Sequence, residues 1–162
     1  MSASKAERSR FWVAYFIDDM PVGTEFMPGA LHLTLIPWFV ADKTDKEINE
    51  SFEDYFSRFS AFNIHLGEKA KFGPKKDAPI TLVEPTFSIM ELHEACLSWL
   101  DKLSGRWAVK NPYIGVQYRP HIRRRRGTRL TQQVININSI TLVSAARRED
   151  HIRHVAAKVA LK

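Results

Sequence analysis

Residues 31–36 read Leu-His-Leu-Thr-Leu-Ile. On a β-strand successive side chains point to opposite faces, so Leu31, Leu33 and Leu35 go to a core while His32 and Thr34 share the other face, roughly 7 Å apart. The three leucines fix that register, because a slip by one residue would bury the histidine and expose the leucines. A histidine and a hydroxyl side by side on a rigid strand supply a general acid or base and a hydrogen-bond donor. Taken alone, the pair is weak evidence, since a histidine on a half-exposed strand face is more often structural. Residues 118–123 read Tyr-Arg-Pro-His-Ile-Arg, and there His121 and Arg123 share a face with Ile122 pointing away. The two histidines stand 89 residues apart. If each half of the chain forms a similar lobe, their strands face each other across a groove. One histidine then removes a proton from an attacking oxygen while the other protonates the leaving oxygen, chemistry that suits a phosphodiester without a metal.

The elements that must position these residues follow from periodicity. Phe11 to Ile17 is a continuous aromatic-rich run, read as a buried strand, and Ala30 to Val40 is a second strand after a turn-rich stretch. Thr44-x-x-Glu47 has the form of a capping box, and Ile48, Phe52, Tyr55, Phe56 and Phe59 recur behind it at helical spacing, predicting a helix from Asp45 to Phe59. Phe62, Ile64 and Leu66 alternate as a strand. Gly67 to Pro79 reads as a hairpin region, and Ile80 to Val83 as a short strand. Thr86 caps a second helix with apolar face Ile89, Leu92, Cys96, Leu97, Leu100 and Leu103, closed by Gly105 in a left-handed conformation. Strands are expected near Gln117 to Ile122, over Val134 to Val143, and from Val155 to Leu161. The order β-β-α-β-β-β-α-β-β-β is an α+β pattern with one helix in each half.

The chain has 162 residues and a formal net charge of +6. Six arginines lie between Arg119 and Arg129; without them the remaining 18 basic residues balance the 18 acidic ones. The excess charge is thus concentrated at the second histidine, as on a surface that meets phosphate. Tyr15, Trp38 and Tyr118 are the aromatics placed to stack a base, with packing as their competing role. The composition is that of a globular protein, and 162 residues suffice for a core without disulfide or metal. Cys96 is the lone cysteine, so an intramolecular bridge is excluded, and it is expected to pack as a small hydrophobe. No apolar run is long enough to span a bilayer, which predicts a cytoplasmic protein without membrane association. His65 reads as solvated, and His93 as lying at the edge of a helix face. His151 and His154 have no neighbouring residues that resemble a zinc site. The absence of a phosphate-binding glycine loop disfavours ATP-driven ligation, and no cofactor is expected.

The stretch His32-Leu33-Thr34-Leu35, together with Tyr118-Arg119-Pro120-His121-Ile122, resembles the two-histidine (2H) phosphoesterases, which include RNA 2′,3′-cyclic phosphodiesterases and the so-called 2′-5′ RNA ligases. The signature of that family is a His-apolar-Thr/Ser-apolar motif occurring twice at a spacing like this one. Arg10-Phe11-Trp12-Val13-Ala14 is similar to its first strand, and Val134 to Val143 to the strand after its second motif. The second motif departs from the pattern, since Arg123 stands where Thr or Ser belongs, and Thr128 is a candidate for the missing hydroxyl. The resemblance implies one bilobal domain over residues 1–162, with two antiparallel sheets facing a central groove and the helices outside. It implies His32, His121 and Thr34 as catalytic residues and Arg123, Arg119, Arg124 and Tyr118 as substrate-binding residues. The implied substrate is RNA or a cyclic oligonucleotide, handled by a monomer. Arg123 keeps a second reading open, a weakened 2H fold that binds RNA or nucleotide without turnover. A third is a basic interaction module with incidental histidines.

Overall fold

The computed structural model describes residues 9–110, 112–124, 130–146 and 152–162. Its strands are β1 (Arg10–Phe16), β2 (Glu25–Phe26), β3 (His32–Val40), β4 (Phe62–Phe72), β5 (Ala78–Val83), β6 (Arg106–Trp107), β7 (His121–Arg123), β8 (Val134–Ile137), β9 (Ser139–Ala145) and β10 (Arg153–Ala160). Helix α1 covers Asp45–Phe56 and α2 covers Phe87–Lys102. The strands pair in the order β2-β10-β9-β1-β3-β7-β5-β4-β8, with β6 added on β3, and every pairing is antiparallel. The α+β class expected from the sequence is the observed one. The two halves of the sheet meet where β3 pairs with β7, so the motif strands are hydrogen-bonded neighbours and do not face each other across a gap.

One face of the sheet carries both helices. Leu33 and Leu35 of β3 and Ile122 of β7 are buried there with Phe52 and Phe56 of α1 and Ile89, Leu92, Cys96 and Trp99 of α2. The helices lock through Trp99, whose ring packs against Phe52 and Phe56 and whose indole N–H donates to Ser51 Oγ at 3.0 Å. Trp12, Ala14 and Phe16 of β1 are buried on the other face with Val143 and Val155. Burial on both sides explains the unbroken apolar run of β1.

Several boundaries differ from expectation for identifiable reasons. The Thr44–Glu47 capping box forms, but α1 ends at Phe56, three residues early, with Ser57 as its C-cap. Strand β4 runs on to Phe72, and the hairpin turns at Gly73, whose φ is +100°. At the end of α2, Ser104 and not Gly105 takes the left-handed conformation, with φ 53°. Gly105 N–H reaches Leu100 O at 3.0 Å, and a Cβ on Gly105 would lie 2.1 Å from Leu100 Cδ1. The glycine is therefore required by close approach and not by its own φ. Thr86 occupies the N-cap position of α2 without a side-chain capping bond. The expected strand Val134 to Val143 is two strands. β8 pairs with β4 in one half, and β9 pairs with β1 in the other, so the chain changes partner at Asn138, where Asn138-Ser139 interrupts the apolar alternation. The strand expected over Gln117 to Ile122 shrinks to His121–Arg123, because Gly115–Gln117 forms a 3-10 turn.

Candidate active site

The pairing of Leu33 with Ile122 decides the site. Residues opposite each other in an antiparallel pair point to the same face. Continuing that register by one residue each way sets Thr34 beside His121 and His32 beside Arg123, all four on the face away from the helices. His32 and His121 are then diagonal neighbours, roughly 7–8 Å apart with their Cβ atoms somewhat closer.

Both histidines are held in the same manner. His32 Nδ1 lies 2.8 Å from Ala30 O, and His121 Nδ1 lies 2.7 Å from Arg119 O. A carbonyl only accepts, so in each ring Nδ1 carries the hydrogen, and Nε2 is the basic nitrogen of that tautomer. Two rings, each tied to the carbonyl two residues upstream, form a matched pair.

Their surroundings differ. The His32 ring meets Trp12 edge-on at 4.7 Å and Phe16 at 5.6 Å. The His121 ring meets Phe72 at 4.9 Å, and the same Phe72 ring carries the Arg119 guanidinium at 4.9 Å. Burial lowers the His121 pKa below its ordinary value, and the Arg119 charge pushes the same way; the hydrogen bond to Arg119 O opposes them. His121 is thus held neutral at pH 7 with its Nε2 lone pair available.

Beneath this face a buried pair fixes the backbone of β3. His93, fully buried on α2 and not at the helix edge, donates from Nδ1 to Leu35 O at 2.7 Å. Its Nε2 accepts from Gly115 N–H at 2.9 Å. Tyr118 stacks flat on His93, with ring centroids 3.8 Å apart, and its hydroxyl donates to Thr34 O at 2.7 Å. Two consecutive carbonyls of the first motif are therefore held by residues of α2 and of the approach to β7. Burial depresses the His93 pKa, which keeps the ring neutral and able to accept from Gly115.

The structure brings His32, Thr34, His121, Arg123 and Arg119 together and separates three other candidates from them. Tyr118, expected to touch substrate, is 9% exposed, and both its ring and its hydroxyl are engaged in packing. Tyr15 lies in the core on the helix side. Arg124 follows the end of β7, and its Nε is shielded, with no hydrogen-bond partner among the described residues. Arg125, Arg126, Arg129, Thr128 and His151 lie outside the described residues. Among the described residues no group of three or more His, Cys, Asp or Glu could hold a metal ion, and no helix is long and apolar enough to cross a membrane.

Sequence reasoning missed the hollow beside His32 and Thr34. It has a volume of about 230 Å³ and is walled by Trp12, Phe26, Pro28, Trp38 and Arg153 among others. Trp38 carries the guanidinium of Arg10 at 4.7 Å and that of Arg153 at 5.1 Å. Residue Trp12 was hidden in an all-apolar run, and Arg153 lies 121 residues from His32 in the chain; only the pairing of β10 with β9, and of β9 with β1, brings it near.

Residues 25–149 match the model of the 2′-5′ RNA ligase superfamily. No curated protein sequence matches the chain. Among solved structures, it is similar to a phosphoesterase at 15% identity and TM-score 0.64, covering 96% of this chain and 99% of that one. It is similar to E. coli LigT complexed with 3′-AMP at 14% identity and TM-score 0.62, with the same coverage. It also resembles TT0787 of Thermus thermophilus at 17% identity and TM-score 0.58, covering 94% and 97%.

Proposed function

Because the chain belongs to the 2′-5′ RNA ligase superfamily, we propose that it is a metal-independent phosphodiesterase, one bilobal unit that opens a 2′,3′-cyclic phosphate or a related 2′-linked phosphodiester on RNA or a nucleotide. The observation that carries this reading is the Leu33–Ile122 pairing, with each histidine ring tied through Nδ1 to the carbonyl two residues back. His121, kept neutral by burial, takes the proton of the attacking water through Nε2. Water adds to phosphorus, the bond to one ribose oxygen breaks, and His32 in its protonated form gives that oxygen its proton. The product is a phosphomonoester, and a proton exchange with solvent resets the pair. Thr34 and Arg123 bind the non-bridging oxygens, where negative charge develops in the transition state. A guanidinium does this with two N–H donors and a formal charge where a hydroxyl would offer one donor.

The test is hydrolysis of an RNA ending in a 2′,3′-cyclic phosphate, in EDTA. Turnover by the wild type, reduced on the order of a hundredfold or more in both His32→Ala and His121→Ala, is the expected result. One observation favours a second reading, binding without turnover: Arg123 stands across from His32 by register and is larger than the hydroxyl residue it replaces. That reading predicts an inactive wild type that retains nucleotide affinity, with activity appearing in Arg123→Thr.

A further inference from the structure

The two histidines are anchored alike, but the packing around their rings is unequal. His32 meets two aromatic rings, Trp12 and Phe16, that belong to a buried cluster on β1. Among the described residues His121 meets one, Phe72, with centroids 4.9 Å apart and planes at 71°. That ring does not come from the motif. Phe72 is the last residue of β4, and it pairs with Ala78 where the ladder ends before the turn. Lys76 N–H closes the turn on Gly73 O at 3.0 Å. β5 then pairs with β7 through Ile80–Arg123, Thr81–Ile122 and Leu82–His121, so one strand carries both the hairpin and the strand of His121.

β7 needs such a support. It has three residues, and the Nδ1 bond of His121 goes to Arg119 O, two residues back on the same segment. A bond of that kind selects the tautomer but leaves the ring to move with its own short strand. An edge-to-face contact from a ring on another element fixes its direction as well. The same Phe72 seats the Arg119 guanidinium, 4.9 Å from the ring centre. One aromatic side chain thus touches the imidazole and also the residue whose carbonyl anchors it.

We propose that Phe72 is the positioning residue of the second motif: the β4–β5 hairpin presses its ring against His121 and under Arg119, and so sets the orientation of the one and the seat of the other. Of the charges around the His121 ring, that of Arg119 acts on it. Arg123 follows on β7, His32 stands diagonally on β3, and Glu68, Lys69 and Lys71 of β4 are exposed. β5 holds no charged residue. Removing Phe72 therefore opens the ring to water and frees one cation, and both changes ease protonation of His121.

Ring-nitrogen NMR on the whole chain tests this without turnover, with His32 in the same spectra as internal control. Phe72→Ala is expected to mix the two neutral tautomers of His121 and raise its titration midpoint toward the ordinary 6.5, with His32 unmoved. Phe72→Leu, which keeps apolar bulk without a flat ring, should fall between Phe72→Ala and the wild type. Phe72→Tyr, which keeps the ring, should restore the wild-type tautomer. On a 2′,3′-cyclic-phosphate RNA, kcat of Phe72→Ala should fall about tenfold with KM within about twofold. His121 signals that stay as in the wild type in both the Ala and Leu variants, His32 shifting as far as His121, or an unchanged kcat would each overturn the proposal. If Phe72→Ala fails to fold, Leu against Tyr decides, and equal His121 signals in those two overturn it. Only the kinetic arm rests on the phosphodiesterase reading. The expected His121 shifts in a protein that opens no cyclic phosphate sink that reading alone, whereas turnover that needs His121, with His121 signals indifferent to Phe72, sinks the positioning role alone.

Discussion

The two histidine strands reach the same geometry by different means. β3 is nine residues long, bonded to β1 on one edge and to β6 and β7 on the other, and its register is set by Leu33 and Leu35 in the core. β7 has only three residues. It is held by its neighbours: Ile122 pairs with Leu33 and Thr81, Val83 N–H donates to Pro120 O at 2.9 Å, and Arg124 N–H to Pro79 O at 2.9 Å. His32 is packed between two aromatic rings on a long strand; His121 stands on a short one beside a cation that helps keep it neutral. In the mechanism proposed above, the two rings need matched orientation and unmatched environments. The Nδ1 anchors supply the first, and the packing around each ring supplies the second.

Tyr118 ties the two strands together from outside the ladder, since it precedes β7 and bonds a carbonyl of β3. Tyr118→Phe leaves Thr34 O without its donor and is expected to destabilise the fold by about 1–3 kcal/mol, read as a lowered Tm or urea midpoint. If β7 is placed by this tie, kcat falls while KM is little changed. A variant of wild-type stability and kcat would show that the strands hold register without it. Removing charge from the weaker half gives the next effect. Arg123→Ala is expected to lower kcat/KM by about tenfold or more, with partial recovery in Arg123→Lys, because a point charge replaces part of what the planar fork does.

The smallest effects separate the histidines by pH. With His121 as the proposed base, the rate limb on the acid side reports its protonation, and burial places the midpoint below the ordinary 6.5. Activity is therefore retained somewhat below pH 6.5 and lost on further acidification. Stability has a separate dependence through His93. Its folded pKa is lower than its unfolded value of 6.5, so between the two the unfolded chain binds more protons. Stability is full above pH 6.5 and declines as pH falls through that window. His93→Gln, which keeps a donor and an acceptor but does not titrate, should flatten this decline in a series of melts from about pH 7.5 to about pH 5.5. An unchanged slope would place the pH dependence elsewhere.

The first half of the site is legible in the sequence because β3 alternates openly: three leucines to one side, His32 and Thr34 to the other. The second half is legible only as residue types. β7 is too short for alternation to define, and its faces are set by pairing with residues 33 and 80–82. The position of Tyr118 is lost for the same reason, since a tyrosine beside an arginine-rich turn carries no mark of burial. His93 shows the converse: a helical histidine among Leu92 and Cys96 gives no sign that a backbone carbonyl 58 residues away will satisfy it. Asn138 escapes notice because Asn138-Ser139 is only a two-residue polar break between Ile137 and Ile140, so the run reads as one β-rich segment. The family resemblance, by contrast, rests on the His-x-Thr motif and on spacing, both of which are readable without the overall sequence identity that is so low against LigT and TT0787.

The most direct measurement is a double-mutant comparison on a 2′,3′-cyclic-phosphate RNA, with single-turnover rates for His32→Ala, His121→Ala and the double variant. If the two rings act as one proton-transfer unit, each single change removes most of the catalysis and the double variant is slower than either by no more than a few-fold. Losses that multiply, or a single variant that retains near wild-type rate, would contradict a paired mechanism at the β3–β7 junction.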